Sequence, residues 1–233
     1  MQAMKNIAII PARGGSKRIP NKNIKDFLGK PILAYAIETA LESGLFDEVM
    51  VSTDSKEIAE VAQKYGAKVP FFRTDKTADD FATTADVLTE VIKRYESKGI
   101  TIENACCVYP TAVLLSTEQL ILAHQNFEKW SYDSLMSVLK FSYPVQRGLR
   151  EESGKLKMVW PENKTKRSQD LETIFHDAGQ FYFFKVDRFK ERQELFTENT
   201  GFLLLSEFEA QDIDNPEDWT MAELKYKFLK GKC

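Results

Sequence analysis

The sequence predicts an α/β fold with a mostly parallel central sheet, and two observations carry this prediction. Short apolar runs of strand length recur along the chain, separated by segments whose apolar residues have helical spacing. Continuous apolar runs are typical of parallel strands that are buried on both faces. Strands that alternate with helices predict a parallel sheet with right-handed crossover connections.

The composition is that of one soluble globular domain. The chain has 233 residues, of which 43% are apolar and 29% are charged. The net charge of −3 argues against a protein that works mainly by wrapping nucleic acid. The sequence has neither a run of 18 apolar residues nor the apolar core of a signal peptide. We therefore expect a single cytoplasmic domain, residues 1–233, that binds neither nucleic acid nor membranes.

The first half of the chain has a regular order of strands and helices. Pro31 suits the first turn of a helix that Gly44 ends, and Ser55 can cap the next helix. The predicted elements are a strand at 7–10, a helix at 31–41, a strand at 48–53, a helix at 56–65 and a strand at 67–72.

The second half continues this order but contains one irregular stretch. The predicted elements are a helix at 85–97, a strand at 105–109, a helix at 116–129, strands at 135–141, 179–186 and 202–206, and a final helix from 216 to about 229. Between 142 and 177 the periodic signal weakens and polar residues dominate. We interpret 143–166 as a protruding excursion from the main sheet, a strand pair or an arm around Gly154.

The loop after the first strand has the chemistry of a phosphate cradle. Gly14 and Gly15 allow positive φ and close backbone approach, so that consecutive N–H groups can point at one anion. The loop also carries four cations: Arg13, Lys17, Arg18 and Lys22. Neither the dinucleotide fingerprint nor the P-loop pattern matches here. The alternative is an ordinary basic surface loop, which explains the coincidence of glycines, cations and strand end less well.

Two aspartates near the C-terminus form a second constellation. Asp212 and Asp214 lie at i and i+2, so on an extended segment both carboxylates point the same way. Mg²⁺ typically binds one or two carboxylates together with phosphate oxygens and water. Capping of the final helix by Asp214 is an alternative that explains only one of the two. With the phosphate cradle, the pair predicts nucleotidyl or phosphoryl transfer.

The cysteines and histidines do not have the spacing of a metal site. Cys106 and Cys107 are adjacent within an apolar run, and Cys233 ends the chain. His124 and His176 have no partner pattern. We expect buried thiols in a reducing compartment.

Residues 10–23, IPARGGSKRIPNKN, closely resemble the opening motif of the acylneuraminate cytidylyltransferases, which make CMP-sialic acid. Residues 51–55 and 212–218 also look like motifs of that family. The resemblance implies a three-layer Rossmann-like nucleotidyltransferase fold and a homodimer, with 143–166 as the dimerisation arm. It also implies CTP as co-substrate and Mg²⁺ as cofactor. The anomeric hydroxyl of a nine-carbon acidic keto sugar would attack the α-phosphorus of CTP and release pyrophosphate.

The cradle and the family motifs together assign roles to individual residues. The nucleotide-binding set comprises Ala12, Arg13, Gly14, Gly15, Ser16, Lys22, Asn23, Arg73 and Thr84. The catalytic set comprises Arg13, Lys22, Asp212 and Asp214, and the two aspartates also form the metal set. Thr84 replaces a serine of the family and keeps the hydroxyl.

Departures from the family pattern narrow the choice of acceptor sugar. Tyr109 stands where sialic acid enzymes carry Gln, and Leu115 stands where they carry Arg. These positions and the segments 143–149 and 177–182 look like the pseudaminic acid branch, whose sugar decorates bacterial flagellin and surface glycans. The resulting sugar-binding candidates are Tyr109, Gln146, Arg147, Arg167, Asp177 and Gln180. A solvated arm surface is an equally good interpretation of Gln146 and Arg147.

Three questions stay open at this point. The sugar could instead be sialic or legionaminic acid. The general base could be a metal-bound hydroxide or a carboxylate, with Asp177 a candidate by its position alone. A noncatalytic nucleotide-binding regulator is the alternative from another class, although the retained cations and paired aspartates argue against it.

Overall fold

The fold is described from a computed structural model that covers residues 2–79 and 81–231. Met1, Asp80, Lys232 and the terminal Cys233 considered above lie outside the described residues. The strands are β1 (Gln2–Pro11), β2 (Asp26–Phe27), β3 (Lys30–Pro31), β4 (Glu48–Ser52), β5 (Ile100–Val108), β6 (Ser134–Lys140), β7 (Leu149–Glu152), β8 (Lys155–Met158), β9 (Phe175–Lys185) and β10 (Thr200–Leu204).

The helices begin where the sequence offers caps. Ser55 and Ser116 accept the hydrogen bonds of main-chain amides in the first turns that they precede, as Ser, Thr, Asp and Asn caps commonly do. The helices are α1 (Ile32–Glu42), α2 (Lys56–Lys64), α3 (Asp75–Ala78), α4 (Thr84–Ser97), α5 (Thr117–Lys129), α6 (Val186–Arg192) and α7 (Pro216–Leu229). Within the described ranges, no helix has both the length and the apolar character needed to cross a bilayer.

Six strands form the central sheet in the order β10-β6-β9-β5-β1-β4. β1 runs parallel to both β4 and β5, and β10 runs parallel to β6. β9 is antiparallel to both of its neighbours, because the chain returns to the sheet through the arm rather than through a crossover helix. The predicted mostly parallel sheet is confirmed.

Helices cover both faces of the sheet, which gives the three layers that the resemblance implied. The apolar sides of α1, α2 and α5 pack on one face, and those of α4 and α6 pack on the other. α7 adds a smaller core around Phe27, whose ring lies 5.4 Å from those of both Tyr35 and Trp219. Cys106 and Cys107 are buried in β5, as expected.

The prediction of a strand at 67–72 is wrong. Only Lys68 pairs with the sheet there, through an isolated parallel bridge to Met50. Its N–H donates to Val49 and its carbonyl accepts from Val51. Pro70 has no N–H with which to continue the ladder, so the chain leaves the sheet edge after one bridge. The helices α3 and α6 were not predicted.

The predicted arm contains an antiparallel hairpin of β7 and β8. Ser153 and Gly154 both have positive φ, 53° and 74°, which suits a tight two-residue hairpin turn. The hairpin side chains Leu149 and Leu156 are exposed. The strand pair is thus confirmed, whereas its role in dimerisation remains a prediction.

Candidate active site

A cavity of about 370 Å³ opens at the carboxyl ends of β1 and β5, where open α/β sheets bind ligands. Its walls come from the loop after β1, the start of α4, the residues after β5 and the segment before α7. The cavity brings together nine of the predicted site residues: Arg13, Ser16, Lys22, Asn23, Arg73, Thr84, Tyr109, Asp212 and Asp214. Predicted residues that do not line it are Ala12, Gly14, Gly15, Gln146, Arg147, Arg167, Asp177 and Gln180.

The loop that follows β1, residues 12–23, is called the opening loop. Its first residues are hydrogen-bonded to the end of β4 and the residues after it. Ala12 is buried and donates its N–H to the carbonyl of Ser52 at 2.9 Å. The N–H of Gly14 donates to the Asp54 carboxylate at 2.8 Å, and a Cβ on Gly14 would lie 3.2 Å from that of Ser55. A glycine at position 14 therefore allows the loop backbone to lie close to Asp54 and Ser55. Neither it nor its neighbour Gly15 has the positive φ that the sequence allowed.

Asn23 connects the two ends of the same loop by a hydrogen bond. Its side chain is buried, and its Nδ2 donates to the carbonyl of Arg13 at 2.9 Å. Its Oδ1 is buried without a hydrogen-bond partner in the described part of the chain. An unsatisfied buried acceptor is costly, so this oxygen offers a site for a donor on a bound ligand.

The far end of the loop meets the paired aspartates. Lys22 Nζ donates to the carbonyl of Ile213 at 2.6 Å and lies 3.8 Å from Asp214 Oδ1. Burial lowers the pKa of Lys22, although the two carboxylates oppose that shift. Burial also raises the pKa of Asp212, and the neighbouring charge of Asp214 acts in the same direction. The two carboxylates therefore lie close enough to repel each other, as in a site that holds a cation.

Asn215, rather than Asp214, caps the final helix. Its side-chain oxygen accepts the N–H groups of Glu217 and Asp218, at 2.8 and 3.0 Å. The Asp218 carboxylate accepts the N–H of Asn215 in return, which completes a capping box. Capping thus does not account for the Asp214 side chain, which lines the cavity.

Arg73 lines the cavity from the segment that follows β4. Its Nε donates to Ser52 Oγ, and its Nη2 donates to the carbonyl of the same serine, both at 2.9 Å. Its Nη1 donates to the carbonyl of Thr77 at 3.4 Å. Burial lowers the pKa of Arg73 to about 10, so the guanidinium is still charged at neutral pH. Arg73 therefore presents a fixed positive charge to an anionic or polar ligand.

A line of polar side chains leads from the cavity to the start of β9. The hydroxyls of Thr84 and Tyr109 lie 3.1 Å apart, and the ring of Tyr109 packs 5.4 Å from that of Tyr182. Tyr182 donates to Asp177 Oδ2 at 2.7 Å, and the N–H of Gly179 donates to the other oxygen at 2.8 Å. Both oxygens of Asp177 thus accept hydrogen bonds from the chain itself.

The side-chain hydrogen bonds and ion pair of the remaining sugar candidates are with residues that do not line the cavity. Gln180 is buried in β9, where its Nε2 donates to Ala178 and its Oε1 has no partner among the described residues. Gln146 Nε2 donates to the carbonyl of Glu172 at 2.8 Å. Arg167 pairs with its neighbour Asp170 at 2.8 Å, and Arg147 is exposed.

Sequence reasoning missed two features of the cavity. Thr111 lines it shortly after β5, and the rule that ligands bind at the carboxyl ends of strands could have found it. Arg18 donates to Asp214 at 2.8 Å. No local signal predicts that contact, because the two residues are 196 positions apart.

Fold and site together define a class of protein. A three-layer α/β domain with cations and paired carboxylates around one strand-end cavity is suited to bind and transfer phosphate-linked groups.

Comparison with known proteins specifies the family. The family model described as Cytidylyltransferase matches residues 7–215, and the chain belongs to that family. A pseudaminic acid cytidylyltransferase of Campylobacter jejuni is 43% identical over 96% of this chain and 97% of that protein. A CMP-N,N′-diacetyllegionaminic acid synthase of Legionella pneumophila is 33% identical over 94% and 95%.

Solved structures confirm the fold. The structure of a CMP:2-keto-3-deoxy-manno-octonic acid synthetase complexed with CTP aligns with a TM-score of 0.70 and 17% identity. The alignment covers 97% of this chain and 99% of that one. The predicted nucleotidyltransferase fold is therefore confirmed.

Proposed function

We propose that this protein transfers CMP from CTP to the anomeric hydroxyl of pseudaminic acid and releases pyrophosphate. The observation that carries the proposal is the single cavity that both the opening loop and the paired aspartates line, in contact with each other. The 43% identity to a pseudaminic acid cytidylyltransferase over nearly the whole chain supports the choice of sugar. The reaction would occur in the cytoplasm, where CTP is made, and its product would serve glycosylation of flagellin or surface polysaccharide.

The nucleotide would lie among the cationic side chains that line the cavity. Arg13 and Lys22 would bind the triphosphate, because they line the cavity on the side of the opening loop. Arg73 and Thr84 would face the cytosine, and the unpaired Oδ1 of Asn23 would accept a hydrogen bond from the nucleoside. Fixed charges of this kind stabilise the charge that develops on phosphate oxygens during transfer.

Asp212 and Asp214 fit a divalent cation such as Mg²⁺. They offer hard oxygen ligands at the edge of the cavity, and their mutual repulsion is relieved by a cation. Among the described residues no group of three or more His, Cys, Asp or Glu could hold a metal, so phosphate and water would supply the other ligands. When bound, Mg²⁺ would polarise the phosphate oxygens.

The acceptor sugar would enter on the side of Tyr109. Its hydroxyl is fixed by Thr84 and its ring by Tyr182, so it presents a positioned polar group to the sugar. Asp177 and the orphaned Oε1 of Gln180 lie behind these tyrosines in β9. Because both oxygens of Asp177 already accept hydrogen bonds, it is better suited to position Tyr182 than to act as general base.

We also propose that the protein is a homodimer whose arm, 143–166, contacts the partner subunit. Its exposed side chains Tyr143, Leu149 and Leu156 support this, since contact with another subunit would bury them. Gln146, Arg147 and Arg167 do not line the cavity of their own chain. In the dimer they would face the sugar of the other subunit.

An activity screen tests the proposed function. Pyrophosphate release would be measured with CTP, Mg²⁺ and each of three acceptors: pseudaminic, legionaminic and N-acetylneuraminic acid. We expect the highest kcat/KM with pseudaminic acid. Turnover of another acceptor alone would overturn the choice of sugar but not the reaction. CTP binding without turnover of any acceptor would instead favour a noncatalytic nucleotide-binding regulator.

A further inference from the structure

The carboxylate of Asp214 has a cationic partner, Arg18, to which the proposed function assigns no role. Arg18 Nη2 lies 2.8 Å from Asp214 Oδ1, and Lys22 Nζ lies 3.8 Å from the same oxygen. The side chain of Arg18 is 68% exposed, so solvent and ligands can reach its guanidinium. Asp214 is thus neutralised by the protein's own cations when nothing else is bound.

This contact competes with the metal-binding role proposed for Asp214. A guanidinium at 2.8 Å uses a lone pair of Oδ1, and Mg²⁺ would need the same carboxylate at about 2.0–2.1 Å. Two cations beside one carboxylate also repel a third. Arg18 therefore opposes a metal that binds alone, and a metal that binds through Oδ1 must displace it.

A triphosphate offers Arg18 another partner. Arg18 lines the same cavity as Arg13 and Lys17, on the wall formed by the opening loop. Guanidinium groups bind phosphate oxygens with two parallel hydrogen bonds, which compensates for the loss of a carboxylate. An anion in this cavity would therefore draw Arg18 away from Asp214 and leave Lys22, at 3.8 Å, as the remaining cation beside that carboxylate.

We propose that Arg18 is a positioning residue that couples the binding of the metal to the binding of the nucleotide. In the free protein it holds Asp214. When CTP binds, the guanidinium moves to the triphosphate, and Asp214 becomes available to the divalent cation. The inference rests on the proposed function, because it takes CTP as ligand and Asp214 as metal ligand.

The expected effect is modest, because the ion pair is exposed to solvent. Exposed pairs contribute between nothing and about a fivefold change in an equilibrium constant. We therefore expect Arg18→Gln to bind Mn²⁺ in the absence of CTP about two- to fivefold more tightly than the unaltered protein. The same variant should bind metal-free CTP more weakly, because it lacks one cation of the cavity. A loss of structure at the site would weaken the binding of both Mn²⁺ and CTP. Tighter Mn²⁺ binding together with weaker CTP binding therefore identifies the competition.

The experiment uses the full chain and two titrations. Mn²⁺ binding without nucleotide is followed by electron paramagnetic resonance, and CTP binding is followed by calorimetry with EDTA and again with saturating Mn²⁺. Coupling between two ligands is reciprocal, so it can be measured from CTP alone. The measure is the CTP affinity with saturating Mn²⁺ divided by the CTP affinity with EDTA. Mn²⁺ bound to free CTP affects every variant equally. We expect a smaller ratio for Arg18→Gln than for the unaltered protein, and partial recovery in Arg18→Lys.

Arg188→Gln is the matched control, since Arg188 forms exposed ion pairs on α6. It should leave both titrations unchanged. An unchanged or weaker Mn²⁺ affinity in Arg18→Gln would overturn the inference while leaving the proposed function intact. If the unaltered protein bound neither CTP nor Mn²⁺, the proposed function would fall and the inference with it.

Discussion

Lys22 donates a hydrogen bond to the main-chain carbonyl of Ile213 at 2.6 Å and so joins the opening loop to the residue between the paired aspartates. Ile213 is fully buried, which makes this a fixed point of the site. Lys22 thus positions the aspartate segment and carries positive charge into the cavity at the same time. Its loss should affect both nucleotide binding and transfer.

We expect Lys22→Ala to lower kcat/KM for CTP by about 10²–10³, the range found when one preorganised electrostatic contact is removed from a reaction centre. Steady-state pyrophosphate release at varied CTP would show a higher KM and a lower kcat together. Lys93→Ala, which removes an exposed lysine of α4, is the control. A kcat/KM within twofold of the unaltered protein would show that Lys22 does not act on the triphosphate.

Asp212→Asn tests the metal role with almost no change in side-chain size. The amide keeps an oxygen but loses the charge that binds a divalent cation, so kcat should fall by at least about 10². The Mg²⁺ concentration that gives half-maximal rate should rise. Asp187→Asn, on the exposed surface of α6, should change neither value. Full activity of Asp212→Asn at limiting Mg²⁺ would contradict the assignment.

Tyr109→Phe tests whether Tyr109 acts on the acceptor sugar or on the nucleotide. The variant keeps the ring that packs on Tyr182 and removes only the hydroxyl 3.1 Å from Thr84. One hydrogen bond contributes about 0.5–1.5 kcal/mol, so kcat/KM for the acceptor sugar should fall about two- to tenfold. The KM for CTP should change less. A rise confined to the KM for CTP would place Tyr109 at the nucleotide instead.

Much of the fold could be predicted because local chemistry determines it. The cap at Ser55 and the apolar runs of β1 and β5 are signals within a few residues. The false strand at 67–72 shows the limit of such signals. Its residues have strand character, but Pro70 cannot donate a ladder hydrogen bond. The direction of β9 depends on the path by which the arm brings the chain back to the sheet. No short stretch of sequence determines that path.

Three candidate site residues were predicted on three different grounds: Arg13 from the loop after a strand, Tyr109 from a family position and Asp212 from a pair of carboxylates. The structure brings all three to one cavity. Side-chain pairings could not be predicted in this way. The partner of Arg18 is 196 positions distant, and the partner of Gly14 is an aspartate after another strand. Such contacts follow from the topology of the sheet rather than from local pattern.

Asn215→Ala tests how much the N-cap of α7 stabilises the fold. Loss of this N-cap should lower the free energy of unfolding by about 1 kcal/mol. For a chain of this length that corresponds to a fall of about 2–4 °C in Tm, measurable by circular dichroism. Asn215→Asp keeps an acceptor for the amides of Glu217 and Asp218 and should retain most of the stability. Equal Tm values for the alanine variant and the unaltered protein would contradict the role of the cap.

His124 should make the stability of the fold depend on pH. Its Nε2 lies 3.2 Å from the Nδ2 of Asn6, a donor, so the ring must be neutral to accept. Burial lowers the pKa of His124 below its ordinary 6.5, although Glu128 opposes the shift. The unfolded chain therefore takes up this proton first as the pH falls. The stabilisation is complete above pH 6.5 and is lost progressively below it.

Urea unfolding at pH 7.5 and pH 5.5 measures this contribution. His124→Gln does not titrate, so its free energy of unfolding should fall less between the two pH values than that of the unaltered protein. Other groups titrate in both proteins alike, and their effect cancels in the comparison. His176→Gln, which removes an exposed histidine, should keep the pH dependence of the unaltered protein. If His124→Gln lost as much stability as the unaltered protein, the proton would bind the folded and unfolded states of His124 equally.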